Sequence, residues 1–277
     1  ATELTEEKTI KGVEIDIDID EQLASKLKYN QPVCARRPPL ALQDKCEELI
    51  EELVKGGIIE PLEGPTEHLA RSHFVPKGDK NKVRLVTDFS QGLNKCIKRA
   101  SHGFTSAAEI REAVGSQAKF FAKLDLLHGF FQLRLSESAK EKTAFVVNYG
   151  KGSHRFCYRK MPMGLTSAPD SFNRVTDRIF ASVPGVHKLI DDLLVTGETE
   201  EELRARLEMI FQRAREFNVT FSKNKIQFGD EISFGGFVIS SRSGQTTIRA
   251  DPAMLEAIRS FPTPTNLTNC LLYTSDA

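Results

Sequence analysis

Three aspartates stand in sequence that is otherwise apolar and strand-like. Asp125 follows Phe121-Ala122-Lys123-Leu124 and precedes Leu126, and Asp191-Asp192 interrupts Leu189-Ile190 and Leu193-Leu194-Val195. A carboxylate in such a run is costly to bury unless it is paired, hydrogen-bonded or metal-bound. Three carboxylates converging from two adjacent strands would repel one another unless divalent cations sat between them. Hard oxygen ligands favour Mg²⁺ or Mn²⁺, and two such ions about 4 Å apart are the apparatus of in-line phosphoryl transfer. An Asp-Asp pair taken alone is equally a polar turn, and Asp125 alone could cap a strand end. Spacing by itself does not bring the two segments together.

The elements that must position these residues follow from periodicity and punctuation. Cys46, Leu49, Ile50, Leu53 and Val54 fall on one helical face, which Gly56-Gly57 ends. Basic strands are expected at His73–Pro76 and Lys82–Asp88, joined by a turn at Gly78–Asn81. A short helix from Ser106 precedes the strand Phe120–Leu126, and a longer helix starts after Thr166-Ser167-Ala168 with Pro169 in its first turn. Val186–Ile190 and Leu193–Thr196 flank Asp191-Asp192 as a hairpin. Thr199 and Glu202 predict a capping box for a helix to Phe217, followed by strands near Val219–Ser222 and Phe234–Ile239 and a helix from Pro252. Strands and helices alternate irregularly, so the fold class is α+β.

Composition is that of a soluble globule, 40% hydrophobic and 27% charged over 277 residues. No apolar run approaches a membrane span, and no signal peptide is visible at the N-terminus. Net charge is zero, but unevenly distributed. Residues 1–70 carry 8 basic and 16 acidic side chains, residues 71–160 carry 18 and 7, and residues 161–277 carry 12 and 15. The basic middle third suits a polyanionic partner. The five cysteines form no C-x-x-C pair, which fits free thiols in a reducing compartment. His68 and His73 lack a third ligand at zinc spacing. The Asp16-x-Asp18-x-Asp20 alternation fails as a calcium loop, because Glu21 stands where Gly is needed and Leu27 where the closing Glu is needed. An exposed edge strand with one wet face is expected there, and Arg36-Arg37-Pro38-Pro39 reads as an extended linker.

Several ordered blocks carry a resemblance. Phe121–Leu135, Tyr158–Arg174, Leu189–Val195 and Phe234–Ser240, within a span from Pro32 to Asn266, together resemble the reverse transcriptases of gypsy-type LTR retrotransposons and retroviruses. The resemblance implies a right-hand polymerase with a ferredoxin-like palm, an antiparallel sheet plus helices. Expected boundaries are an acidic lead-in over 1–30, fingers over 31–99 and 133–165, palm over 100–132 and 166–250, and the start of a thumb with unrelated trailing residues over 251–277. It implies an RNA- and DNA-directed DNA polymerase using two Mg²⁺ ions, with Mn²⁺ as substitute, on a primed RNA or DNA template with deoxynucleoside triphosphates. An intracellular setting, within a virus-like particle, is expected.

Residue by residue, the resemblance places metal ligands on Asp125 and Asp191, with Asp192 beside them and the Leu126 carbonyl as an extra ligand. Lys77 and Arg84 match triphosphate-binding cations, and Asp88 a structural acid. Phe130 matches the steric gate against a ribose 2′-hydroxyl, and His128 and Gly129 supply backbone N–H groups to the triphosphate. Met163 and Gly164, within Met161–Pro169, line the nucleotide pocket. Lys225 matches a proton donor to pyrophosphate, and Phe234-Gly235-Gly236-Phe237 the primer grip. The sequence departs at Leu189, where the family has tyrosine, in a longer Asp88–Asn94 spacing, and after Asn269, where the thumb pattern stops. Protease, ribonuclease H and integrase segments are missing, so the chain reads as a polyprotein fragment with a truncated thumb. Leu189 also motivates a rival reading, a nucleic-acid-binding remnant of the same fold without turnover. An unrelated two-metal phosphotransferase would share the carboxylates but leave the other blocks unexplained.

Overall fold

A computed structural model describes residues 8–27, 35–77, 79–103, 105–114, 117–242, 245–260, 263 and 265. Pro32, Cys34, Gly78, Asn266 and Cys270–Ala277 lie outside the described residues, as does the side chain of Lys77. In chain order the first elements are β1 (Glu14–Ile15), α1 (Glu21–Lys26), α2 (Gln43–Lys55), β2 (Ile59–Pro61), β3 (Ala70–Lys77), β4 (Asp79–Asp88), α3 (Leu93–Cys96) and α4 (Ala107–Ala113). There follow β5 (Phe120–Asp125), β6 (Arg134–Leu135), α5 (Glu137–Lys142), β7 (Phe145–Tyr149), β8 (Gly152–Tyr158), α6 (Ala168–Phe180), β9 (Val186–Leu189) and β10 (Asp192–Gly197). The last are α7 (Glu200–Phe217), β11 (Gln227–Gly229), β12 (Glu231–Phe234), β13 (Phe237–Arg242), β14 (Gln245–Ala250) and α8 (Pro252–Arg259).

A five-stranded sheet runs β2-β8-β7-β3-β4, a four-stranded antiparallel sheet β11-β5-β10-β9, and a three-stranded sheet β12-β13-β14. The sheets are largely antiparallel, with a parallel β3–β7 pair inside the five-stranded one, and together with the helices they make the expected α+β class. The four-stranded sheet buries Leu124, Leu193 and Val195 in one cluster with Phe172, Ile179 and Phe180 of α6 and Leu203, Leu207 and Ile210 of α7. That layer holds the sheet rigid where the aspartates leave it. The same cluster continues into Phe145, Phe156 and Tyr158 of the five-stranded sheet, so one core joins both. No helix among the described residues is long and apolar enough to cross a membrane.

Most sequence-derived elements appear where expected. On α2, Cys46, Ile50 and Leu53 are buried, Gly56 caps the helix, and Gly57 follows in the left-handed region at φ +60°. Ser106 and Glu109 close a reciprocal capping box on α4, and Pro169 sits in the first turn of α6.

Four expectations need correction. Glu202 does not reach back to the Thr199 backbone; it accepts from Glu198 N at 2.7 Å, while Thr199 caps Glu202 N. Residues 219–222 form no strand, only a bridge from Phe221 to Leu126, because the chain at once tightens into a 3₁₀ turn at Lys223–Lys225. Phe234–Ile239 is not one strand but the β12–β13 hairpin, since Gly235 and Gly236 both take positive φ. The alternating Ile-Asp segment is strand only at β1, which pairs parallel with β6. The single wet face is as expected. Ile15, Ile17 and Ile19 enter the main core at 3%, 1% and 8% exposure, while Asp16 and Asp18 face water.

Candidate active site

The pairing of β5 with β10 brings the two acidic segments together. Asp192 is the direct cross-strand partner of Asp125, and Leu193 to Gly197 continue the ladder down to Phe120. Asp191 sits in the tight turn between β9 and β10 and accepts from Leu126 N through its carbonyl at 3.0 Å. The preceding residue, Ile190, holds φ +53°, a region that a β-branched residue rarely adopts. It is kept there by the strands on either side, so the turn presents Asp191 in one fixed place.

The three carboxylates differ in what they touch. Asp191 Oδ1 is buried with no hydrogen-bond partner. Burial pushes its pKa up, the charges of Asp125 and Asp192 push it further, and Lys225 opposes them. Asp125 is held by Lys225, whose Nζ lies 3.1 Å from both carboxylate oxygens. Asp192 is held by Lys123 at 2.9 Å. As they stand, then, no three acidic, histidine or cysteine side chains among the described residues are gathered to hold a metal. A divalent cation nevertheless fits the donor set. An unsatisfied buried carboxylate oxygen, with like charges on either side, is what a hard cation relieves. Lys225, with its side chain 65% exposed, is a counter-ion that such a cation can displace at little cost.

The remaining predicted residues are distributed around this centre. Gly129 and Phe130 lie in a 3₁₀ turn at Gly129–Gln132 that His128 enters at φ +49°. A Cβ on Gly129 would stand 2.9 Å from Asp191 Oδ1 and 2.9 Å from Phe172 Cζ, so the turn passes directly over the aspartate. Phe130 is half-buried and packs edge-on against Phe172 at 5.4 Å between centroids. That contact supports the ring without enclosing it. Gly164 adopts φ +96°, and its added Cβ would meet the Thr87 carbonyl at 3.4 Å. Met163 beside it is exposed. Arg84, exposed on β4, stands opposite Val75 of β3, with Lys77 further along toward the hairpin tip. Asp88 ends β4 and accepts from Ser90 N and Oγ, which hold its pKa down. Phe234 and Phe237 are cross-strand partners closing the Gly235-Gly236 turn.

Several positioning side chains escaped the sequence reading. Asn94 donates to Gly164 O at 2.7 Å and accepts from Thr166 N at 3.0 Å, pinning the pocket-lining loop to the segment after β4. Gln132, 2% exposed, donates to Leu127 O and Thr220 O and accepts from Thr220 N. It thereby fixes the turn that carries Phe130. Lys188 bridges Asp177 at 2.7 Å and Thr176 at 2.7 Å, anchoring β9 to α6. The only signal for these residues was a polar side chain in an apolar or glycine-flanked stretch.

Comparison with known proteins places the arrangement. Residues 75–239 match the family described as reverse transcriptase (RNA-dependent DNA polymerase). Over 249 residues the chain is 29% identical to the retrovirus-related Pol polyprotein from transposon 412 of Drosophila melanogaster, covering 86% of this chain and 19% of that protein. Over 246 residues it is 30% identical to the Pol polyprotein from transposon gypsy of the same organism, covering 85% and 22%. The chain thus spans about a fifth of the length of these curated relatives. A foamy viral protease-reverse transcriptase solved in complex with RNA/DNA hybrid superposes with a TM-score of 0.76 at 21% identity, over 96% of this chain and 34% of that one. That likeness shows the right-hand polymerase fold. The family match takes in more than half of the sequence, including Asp125, Asp191 and Asp192, and this chain belongs to the reverse transcriptase family.

Proposed function

We propose that this chain is the polymerase core of a retroelement reverse transcriptase, extending a primer 3′ end with deoxynucleotides on an RNA or DNA template. The observation that carries the proposal is the carboxylate centre. Cross-strand pairing sets Asp192 opposite Asp125, and the β9–β10 turn adds Asp191, whose buried oxygen lacks a donor. Asp125 and Asp191, with Asp192 beside them and the Leu126 carbonyl, are the residues that would hold Mg²⁺ or Mn²⁺. Bound ions there supply a lowered pKa for the primer hydroxyl and neutralisation of the pyrophosphate.

The chain's own residues do the rest. Lys77 and Arg84, on a basic hairpin, bind the triphosphate, and the backbone at His128 and Gly129 orients it. Phe130 excludes a 2′-hydroxyl by volume, and Met163 and Gly164 line the base-pair pocket. Lys225, already at hydrogen-bonding distance from Asp125, holds a proton beside the leaving group. The Gly235-Gly236 turn lets primer backbone approach.

Primer extension with Mg²⁺ or Mn²⁺ tests the reading. Asp191→Asn is expected to lower kcat by about a thousandfold or more. It should also raise the metal-free Tm by about 2 °C, because a desolvated charge is removed. Extension that survives the substitution would refute the site. A second reading, binding without turnover, is favoured by Leu189, which packs against the small cluster containing Leu194 and Phe234 in place of the family's tyrosine. Salt-dependent primer–template binding without extension is its signature.

A further inference from the structure

We propose that Lys123 is a positioning residue that draws Asp192 away from the metal-binding pair and ties it to the Gly235-Gly236 hairpin. The proposal rests on the polymerase reading above and assigns unequal roles to its three carboxylates.

Side-chain alternation puts Lys123 and Asp125 on one face of β5, with Leu124, 0% exposed, on the other. The register sets Asp192 opposite Asp125 and Leu194 opposite Lys123, so Lys123 and Asp192 are diagonal neighbours within reach of a long side chain. The ammonium lies 2.9 Å from Asp192 Oδ2, with the two side chains only 20% and 26% exposed. It also lies 5.9 Å from the centroid of the Phe234 ring, within cation–π range. Phe234 is 3% exposed and opens the turn that Phe237 closes. One cation therefore touches three strands: β5, which carries it, β10 through Asp192, and β12 through Phe234.

The contrast with Lys225 gives this contact its meaning. Lys225 neutralises Asp125 from a side chain 65% exposed, so a metal can replace it. Lys123 is largely buried, and its ion pair with Asp192 is screened less than the exposed one made by Lys225. Asp191 Oδ1 has no partner at all. The site is thus built with one open carboxylate, one reversibly covered, and one held. Moving the glycine turn must move Phe234, and with it the ammonium that orients Asp192.

Mn²⁺ binding to the full chain without nucleic acid, read by electron paramagnetic resonance, tests this independently of turnover. Lys123→Met is expected to tighten Mn²⁺ by about threefold, because Asp192 becomes available, and the gain should vanish in Lys123→Met/Asp192→Asn. In primer extension Lys123→Met should lower kcat by about tenfold with KM for deoxynucleotide within about twofold, and Lys123→Arg should restore kcat to within about threefold. Phe234→Leu should lower kcat with Mn²⁺ affinity unchanged. Wild-type Mn²⁺ affinity and kcat in Lys123→Met, with Asp191→Asn inactive, would overturn this inference alone. Extension by Asp191→Asn would overturn the polymerase site beneath it.

Discussion

At the scale of single residues, the tightest constraint on the centre comes from a glycine. An alanine methyl at Gly129 would have to share space with Asp191 Oδ1 and the Phe172 ring, each 2.9 Å away. Phe172 is fully buried and cannot swing out, so the carboxylate or the turn must give. Gly129→Ala should therefore lower kcat for extension by roughly ten- to a hundredfold while Tm falls by only about 2–4 °C. An active variant with the same loss of Tm would show that the turn relaxes without disturbing Asp191. The aspartates themselves were legible in the sequence, because a charge amid strand-forming residues stands out locally. Lys123, Asn94 and Gln132 were not, since their partners Asp192, Gly164 and Thr220 lie about 70 or 90 residues away and no local pattern encodes such pairings.

At the scale of elements, local signals are legible in the sequence and lateral pairings are not. The ends of α2 and α6 followed from glycine and proline, and the β9–β10 hairpin from its apolar flanks. The period of two before residue 20 is legible as one wet and one dry face, with Asp16 and Asp18 outward and every isoleucine toward the core, but not as a strand only two residues long. What fastens this segment is partly ionic. Asp16 accepts from Ser138 Oγ at 2.7 Å and from Ser136 Oγ at 2.9 Å, with Lys142 at 4.0 Å. The Ser138 hydroxyl, then that of Ser136, hold the Asp16 carboxyl below its usual 3.8. A depressed carboxylate contributes stability above its unfolded value and loses it as pH falls through the folded one. The stability gap between wild type and Ser138→Ala should therefore be full above pH 3.8 and shrink below it. Because Asp16 is largely exposed, the gap in Tm should be about 1–2 °C at most. Thermal melts across that range check it, and a gap independent of pH would remove Asp16 from the account.

At the scale of the whole molecule, zero net charge conceals the distribution that matters for a polyanion. Residues 71–160 carry 18 basic and 7 acidic side chains and include β3, β4 and the turn over Asp191, while the acidic excess of residues 1–70 lies partly on the outward face of the segment around Asp16 and Asp18. A partner that binds through phosphates releases counter-ions, so affinity should fall steeply with salt. Primer–template binding by this chain, measured by fluorescence anisotropy between low and moderate salt, should give a log–log slope of about −4 or steeper. Arg84→Ala then separates two uses of the same charge. If Arg84 binds the triphosphate, the slope stays within about 0.3 of wild type and KM for deoxynucleotide rises about tenfold. If it binds template backbone, the slope should become shallower by about 1, with KM for deoxynucleotide little changed. The first pattern is expected, because Arg84 sits on the same hairpin as Lys77 and a guanidinium fork suits a clustered polyphosphate. Binding that is insensitive to salt would disconnect the basic third of the chain from nucleic acid altogether.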